Sequence, residues 1–465
     1  MLTFKELQAD DCGRLQNYYV NCNYRLCEYA FGTKWMWRGY LHPAWTEAAG
    51  CLLVRNTIDG EILFDFPVAG ENGDVDGALT AIEQYCTAQG IRPVISVVSE
   101  ERASALLLRY PRVNVTNERV WKDYLYHAED LAQFAGRRYS GQRNHINKFR
   151  KTCPDVCFMP LTAANGNLLA QFWQDYAAEF RKDNQLAQWE LAASQEMFGL
   201  LDAGTFCAGG LLAEGKLVAI SLGEKCGNTL ITHIEKALYS YEGAYPAMVQ
   251  SFAAYYGKDC SYVNREDDAR DKGLRTSKLQ YLPCELGSKL SFTVGNELDT
   301  LADVPQLHSA RLTLSGFSER DKAAYHTLCM DDMRNRWWGY DYREDLRGEP
   351  TADYFFDVVR QDFAAKRAVN FAIRLDGNCI GEVVLYNCDW RGGMELGCRI
   401  APEATGNGYG TEAFSTVADW ALYRLGLAKV TAKCYHENTA SYRMLSSCMR
   451  QVREDETFVY FEKTV

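Results

Sequence analysis

Thr405-Gly406-Asn407-Gly408-Tyr409-Gly410-Thr411-Glu412-Ala413 stands between a strand-like segment, Met394 to Ile400, and a segment whose apolar residues Ala413, Phe414, Val417, Ala418, Ala421 and Leu422 recur at helical spacing. Three glycines let the main chain approach an anion without interference from a Cβ. The helix that follows turns unsatisfied N–H groups and the positive end of its dipole toward the same point. The run predicts a strand, loop and helix that cradle the linked phosphates of a carrier molecule.

Upstream of the loop, Val369 to Arg374 and Cys379 to Tyr386 read as a hairpin around Asp376-Gly377-Asn378. Arg311 to Leu314 reads as a first strand, and Ser318-x-x-Asp321 as a helix N-cap with an acidic N3 residue. Downstream, Lys429 to Tyr435 alternates as a strand. The order is β-α-α-β-β-β-loop-α-β-α-β, and the glycine- and polar-rich stretch from Pro283 to Val304 holds the boundary with what precedes it, near residue 300. Two further mixed patterns occupy the first 300 residues. In one, Cys51 to Val54 and Ile62 to Pro67 are strands, Gly77 to Gln89 a helix and Arg92 to Val98 a strand. In the other, Phe206 to Ala213 and Lys216 to Glu224 form a hairpin, Thr229 to Ala237 a strand, and Ala244 to Tyr256 a helix before Tyr262-Val263-Asn264. The expected division is 1–130, 131–300 and 301–465.

A chain of 465 residues exceeds one ordinary core, and 47% hydrophobic content supplies several. The net charge is −11, with acidic residues in excess on both sides of residue 300, so neither part is a basic nucleic-acid module. The exception is 137–151, which holds six cations and no carboxylate. Seventeen cysteines, an odd number without a CxxC pair, read as reduced thiols. Seven histidines without HExxH or HxxxH spacing give no metal site. Met1-Leu2-Thr3-Phe4-Lys5-Glu6 lacks a leader pattern, and no run approaches the roughly 20 apolar residues of a membrane span, so the expected location is the cytoplasm, away from membranes.

The glycine run resembles the acetyl-CoA signature Arg/Gln-x-x-Gly-x-Gly/Ala of the GNAT acetyltransferase superfamily. Gly408 and Gly410 match its small residues, and Thr405 stands where Arg or Gln is usual. Residues 408 to 413 resemble the ribosomal-protein-alanine acetyltransferase branch. Asn438-Thr439-Ala440-Ser441 resembles that branch's Asn-x-x-Ser motif beside the pantetheine arm, whereas its Gly-Phe ending is Met449-Arg450 here. The resemblance implies that N–H groups near Arg399, Ile400 and Ala401 bind the pantetheine and polarise the thioester carbonyl. It also implies that Thr405, Gly406, Asn407, Gly408, Tyr409, Gly410 and Thr411 hold the diphosphate, with Asn438 alongside.

Acyl transfer to an amine needs a base for the amine proton, a donor for the carbonyl oxygen as it gains charge, and a proton for the departing thiolate. Glu395, on the strand leading to the carbonyl site, is the first candidate base, and Glu382 on the preceding strand the second. Either reads equally as a solvated strand carboxylate. Ser441 is the expected thiolate proton donor, and reads equally as a helix N-terminal hydroxyl satisfying backbone amides. Trp337, Trp338 and Tyr340 form aromatic walls and Asp341 a counter-charge suited to a cationic amine, with core packing the other reading of the tryptophans.

Three pieces of the first 290 residues resemble the C-terminal catalytic domain of phosphatidylglycerol lysyltransferases and their soluble relatives, themselves tandem GNAT-like folds. They are Gly136 to Lys151, then His233-Ile234-Glu235-Lys236-Ala237 with Tyr241-x-Gly243-Ala244-Tyr245, then Asn264-Arg265-Glu266-Asp267 with Gly273-Leu274-Arg275-x-x-Lys278-x-x-Tyr281-x-Pro283. Arg138, Arg143, Asn144, Lys148, Arg275 and Lys278 are candidates to meet phosphates of charged tRNA or of CoA, and a solvated helix face is the alternative for the basic run. Tyr139, Ile146 and Phe149 within that run would anchor one side in a core. Strand alternation puts His233 and Glu235 on one face and Lys236 on the other, with Glu235 expected to pair with Arg275 or Lys278.

The resulting expectation is an α/β (α+β) chain of three GNAT-like mixed-sheet lobes, a tandem pair followed by a C-terminal acetyltransferase domain. It would use acetyl-CoA as co-substrate, without a metal, to acetylate a primary amine on a small molecule, amino acid or peptide N-terminus. Aminoacyl transfer from charged tRNA through residues 1–290, and a degenerate acyl-CoA-binding sensor or scaffold, are the alternatives. No motif fixes the acceptor or the oligomeric state.

Overall fold

Periodicity in the sequence becomes three mixed sheets, each containing a place where parallel strands meet. The computed structural model describes residues 2–180, 185–338 and 351–465. The chain divides into one unit of Met1–Ile82, Pro93–Ser104 and Val115–Thr293, and a second of Glu83–Arg92, Ala105–Asn114 and Val294–Val465.

The first unit holds two sheets. In one, Ala44–Ala48, Cys51–Ile58 and Glu61–Asp65 run antiparallel, and Glu61–Asp65 then meets Val94–Val98 in parallel at Phe64 opposite Ile95. In the other, Cys157–Pro160, Phe206–Ala213, Lys216–Cys226 and Thr229–Ala237 are antiparallel neighbours, and Thr229–Ala237 meets Tyr262–Asn264 in parallel. The lobes are not consecutive blocks of chain. Asp123–His127 pairs with Tyr262–Asn264 in the second sheet, whereas Leu290–Val294 pairs with Val94–Val98 in the first. A cut between 130 and 131 would therefore separate Asp123–His127 from the sheet it completes, a pairing that no local pattern encodes.

The helix Ser140–Thr152 explains the mixed basic run, because Ile146 and Phe149, with Tyr139 just before it, are buried in a core with Tyr124, Tyr126 and Phe252 while the cations face outward. On the strand Thr229–Ala237, Leu222 lies opposite Ile234 but Gly223 opposite Thr232, so His233 is the extra residue of a bulge that breaks the two-residue alternation. Its buried ring lies between Glu224 (Nε2 to Oε1, 3.0 Å) and Glu266 (Nδ1 to Oε1, 2.8 Å), and Glu224 also accepts the Gly32 N–H at 2.6 Å and Gln16 Nε2 at 3.0 Å. Burial alone would lower the pKa of His233, yet hydrogen bonds to the two carboxylates raise it to about 9. A second buried cation, Lys289 Nζ, reaches Glu28 at 2.6 Å, Asp123 at 2.7 Å, Asp267 at 3.3 Å and Cys27 Sγ at 3.3 Å. Cys27, Glu28 and Asp267 alone would place three donor atoms within 4.8 Å of one another, but here they surround an ammonium.

The second unit orders its sheet Leu307–His308, Thr313–Ser315, Val369–Leu375, Asn378–Tyr386, Gly393–Ile400, Lys429–Tyr435, Phe458–Thr464, Arg450–Glu454. Asp376 (φ 50°) and Gly377 (φ 83°) make the turn of the expected hairpin, and Ser318 and Asp321 form the capping box before the helix Lys322–Met330. After the helix Thr439–Cys448 the chain makes two strands rather than one, so Met449 and Arg450 lead into a hairpin.

The raised pKa of His233 makes a signed expectation for stability. The bond network stabilises fully below the ordinary histidine value and is lost as pH rises through about 9. The thermal midpoint of the protein is expected to fall by about 5 °C between pH 7 and 9.5, with H233Q removing most of that slope. A wild-type slope that H233Q leaves intact would contradict the assignment.

Candidate active site

The glycine loop forms as a left-handed turn into a helix. Gly406 (φ 81°) and Gly408 (φ 78°) adopt backbone that L side chains rarely take, and Gly408 is the N-cap of the helix Tyr409–Trp420. A Cβ on Gly410 would lie 3.3 Å from Ile400 Cγ1 and 3.7 Å from Met444 Sδ, so its hydrogen lets the first turn sit against the end of the preceding strand. Among the described residues, the amides of Gly406, Asn407, Gly408, Tyr409, Gly410 and Thr411 have no protein acceptor. Thr405 Oγ1 donates back to the Pro402 carbonyl at 2.7 Å, and Asn407 Nδ2 to those of Ala404 (3.3 Å) and Thr405 (3.1 Å). These two side chains shape the loop, and its amides are what it presents.

The strand Gly393–Ile400 reaches the loop after its parallel partner has left it. It pairs with Lys429–Tyr435 only from Gly393 to Glu395, while its antiparallel ladder with Asn378–Tyr386 continues to Ile400. The Ala401 N–H donates to the Ile380 carbonyl at 2.8 Å. By the alternation of an antiparallel ladder, Arg399 and Gly397 share that orientation, whereas Leu396 closes the last step of the parallel ladder at Thr431 and the amides of Cys398 and Ile400 face the gap between the parting strands. Of the three predicted amides, Ile400 therefore opens on the gap, while those of Arg399 and Ala401 are turned to the neighbouring strand.

Glu382 is not placed to act as a base. Its carboxylate is fully buried, accepting from Tyr325 Oη (2.7 Å), Asn370 Nδ2 (2.7 Å) and Arg399 Nε (2.9 Å). The Arg399 guanidinium also reaches Cys329 Sγ at 3.0 Å and Asn335 Oδ1 at 3.3 Å and lies 4.5 Å from the Trp338 ring. Burial pushes the Cys329 thiol up to about 12. This pair is a buried framework, and Arg399 directs its side chain into it rather than toward the loop. Glu395 is differently placed. Partly exposed, it accepts from Tyr386 Oη (2.9 Å) and Asn387 Nδ2 (3.1 Å), with Lys433 Nζ at 3.6 Å. Those three partners line a cavity of about 460 Å³ within the second unit, together with Trp338, Asn370 and Phe458 among others.

Trp338 covers Gly397, 3.3 Å from where a Cβ would lie, and Trp337 packs against Tyr435 with ring centroids 5.7 Å apart. Tyr340 and Asp341 lie outside the described residues. Asn438 caps the helix Thr439–Cys448, its Oδ1 accepting the Ser441 N–H at 3.1 Å, so the amide-satisfying group is the asparagine and not the serine hydroxyl. Burial pushes the Cys398 thiol, close to the loop, up to about 12, a neutral packing group rather than a nucleophile.

In the first unit a side chain spans the corresponding gap. Beyond the parallel pairing of Thr229–Ala237 with Tyr262–Asn264, Arg265 bridges the gap to Glu235 (Nε 2.9 Å, Nη2 2.7 Å) and to Tyr245 Oη (3.1 Å). The partner of Glu235 is thus Arg265, which follows the adjacent strand directly, rather than Arg275 or Lys278. A Cβ on Gly243, at the start of the helix Ala244–Tyr256, would lie 2.3 Å from the His145 carbonyl oxygen, so the missing side chain lets this helix start against the backbone of Ser140–Thr152. Arg275 is bound to Asp268 (2.8 and 2.9 Å), and the buried Lys278 ammonium donates to the Arg265 and Asp267 carbonyls. On the basic helix and just before it, Arg138 pairs with Asp130, Lys148 with Glu242, and Arg143 with the Phe134 and Gly136 carbonyls, while Asn144 is exposed. Each of the five cationic candidates already donates to a protein acceptor. His233 and Arg265 lie within the segments that carry the lysyltransferase resemblance, and Arg311, which holds the glycine loop at Asn407, lies in none; sequence singled out none of the three as a site residue.

The family described as phosphatidylglycerol lysyltransferase, C-terminal, matches residues 21–289, and the acetyltransferase (GNAT) domain matches residues 311–448. The chain is 26% identical over 144 residues to the uncharacterized N-acetyltransferase YoaA of Bacillus subtilis (strain 168), covering 30% of this chain and 80% of that protein. A conserved protein of unknown function from Bacteroides thetaiotaomicron VPI-5482 has a similar structure, with 26% identity, a TM-score of 0.56, and coverage of 63% of this chain and 99% of that one. The structure of L-PGS from Bacillus licheniformis aligns at 11% identity with a TM-score of 0.41, covering 54% of this chain and 84% of its own. The chain belongs to the phosphatidylglycerol lysyltransferase C-terminal family, continues into a GNAT acetyltransferase domain, and is an acyltransferase.

Proposed function

We propose that the second unit is an acetyl-CoA-dependent N-acetyltransferase of the cytoplasm, acting on a primary amine of a small molecule, amino acid or peptide N-terminus. The observation that carries this reading is the run of unaccepted amides from Gly406 to Thr411 at a helix start, beside the gap left by the parting strands. Such a cradle suits a diphosphate, and an extended pantetheine could add itself to the free edge of Gly393–Ile400. The YoaA relative supports the acetyl group and the amine.

In this account Glu395 takes the proton of the incoming amine, directly or through water, while Tyr386 and Asn387 hold the carboxylate in place. The amides of Cys398 and Ile400 donate to the carbonyl oxygen as it gains charge, and the Ser441 hydroxyl supplies a proton to the departing thiolate. Holding amine and thioester together supplies much of the acceleration, with no covalent intermediate on the protein. The buried Glu382–Arg399 pair fixes the strand that carries these amides.

A second reading, aminoacyl transfer from charged tRNA by the first unit, has family membership and the outward face of Ser140–Thr152 in its favour. Among the described residues Arg150 and Lys151 there are exposed without an acidic partner. Among the described residues no helix is long and apolar enough to cross a membrane.

Isothermal titration of the full chain is expected to show acetyl-CoA binding that G408A weakens about tenfold, because the new Cβ sits at positive φ in the cradle. No binding by the wild-type chain would refute the reading. With an amine that supports thiol release, E395Q is expected to lower kcat by about 10²- to 10³-fold at unchanged thermal midpoint. E382Q is expected instead to destabilise by about 3 kcal/mol by leaving Arg399 buried without its counter-charge. The reverse pattern, with E382Q catalytically dead but stable, would exchange the two roles.

A further inference from the structure

The side chains of the glycine loop leave its amides without a cation. Thr405, at the position where the resembled signature carries Arg or Gln, spends its hydroxyl on Pro402, and Asn407 turns back on the loop carbonyls. A cation arrives from elsewhere. Arg311, just before the strand Thr313–Ser315, donates from Nη1 to the Asn407 carbonyl at 3.0 Å and stacks 4.6 Å from the Tyr409 ring centroid. Its Nη2 is 3.6 Å from the point where a Cβ on Gly408 would lie.

Glu412, in the first turn of the helix, fixes that guanidinium. Its carboxylate accepts Arg311 Nε and Nη2, each at 2.7 Å, the Arg311 backbone N–H at 2.8 Å and the Ser309 hydroxyl at 2.7 Å. Unpaired, a carboxylate in this turn would repel the anion that the loop amides attract. Paired, it cancels its own charge and sets the planar fork at the edge of the loop, where Arg311 is 46% exposed. A guanidinium has five N–H donors, and these contacts leave one hydrogen on each Nη for a further acceptor.

We propose that Arg311 is the phosphate-contacting side chain of the acyl-carrier site, with Glu412 as its positioning residue, and that this pair replaces the contact Thr405 does not make. The proposal rests on the acetyl-CoA reading above. An arginine suits the role because its donors match phosphate oxygens two at a time, which a lysine ammonium does not.

The test measures the affinity of the full-length protein and its variants for acetyl-CoA and for acetyl-pantetheine, which shares the thioester arm and lacks every phosphate. R311Q is expected to weaken acetyl-CoA about tenfold or more and to flatten the salt dependence of its binding, while leaving acetyl-pantetheine unchanged. R311K is expected to recover part of the loss, and E412Q to fall between wild type and R311Q. Unchanged acetyl-CoA affinity in R311Q, or an equal loss for both ligands, would overturn the proposal, the second result marking Arg311 as a loop scaffold only. If wild type binds acetyl-CoA and R311Q binds it equally, the carrier site stands without Arg311. If wild type binds neither ligand, the acetyl-CoA reading fails and the proposal with it.

Discussion

Two parallel strands that stay together for three residues and then part leave main-chain amides facing a gap, and a buried amide without a partner carries a free-energy penalty of about 1–3 kcal/mol. The fold therefore either fills the gap with its own groups or keeps it accessible to water and a ligand. Both solutions occur in this chain. In the first unit, Arg265 crosses from the end of Tyr262–Asn264 to Glu235 and Tyr245, and Gly243 is pressed against the His145 carbonyl. In the second, the corresponding loop is built on Gly406, Gly408 and Gly410, and its amides have no protein acceptor among the described residues.

Several buried charges are handled by pairing. Glu382 with Arg399, His233 with Glu224 and Glu266, and Lys289 with Glu28 and Asp123 each satisfy an ion that burial alone would neutralise. Such pairs contribute little net stability compared with well-packed apolar groups, but breaking one is costly, so they restrict where their strands can sit. In the second unit this separates the two candidate bases by environment. Glu382 is enclosed by donors, whereas Glu395 lies at a cavity edge beside Tyr386, Asn387 and Lys433.

Local chemistry made much of the fold legible. Asp376-Gly377 announced a hairpin, Ser318 and Asp321 a helix start, and the apolar spacing within 137–151 a helix anchored on one side, because each depends on neighbours within a few positions. The glycine loop was legible for the same reason. What stayed hidden depends on distant partners. The exchange of Asp123–His127 and Leu290–Val294 between sheets leaves no periodic trace, and a charged strand residue does not name its counter-ion, so Glu235 met Arg265 rather than Arg275 or Lys278. The bulge at His233 likewise needed the facing strand to be seen. Asn438 was read with a motif beside the pantetheine arm, but its oxygen is used as a helix cap.

If the Gly406–Thr411 amides are held open for the phosphates of an acyl carrier, its binding protects them. Hydrogen–deuterium exchange of the intact chain, with and without saturating acetyl-CoA, addresses those amides directly. Slowed exchange is expected at 405–413 and along 396–400, with the 229–245 region of the first unit unchanged. Protection confined to the first unit, or none at 405–413 despite saturation, would contradict it.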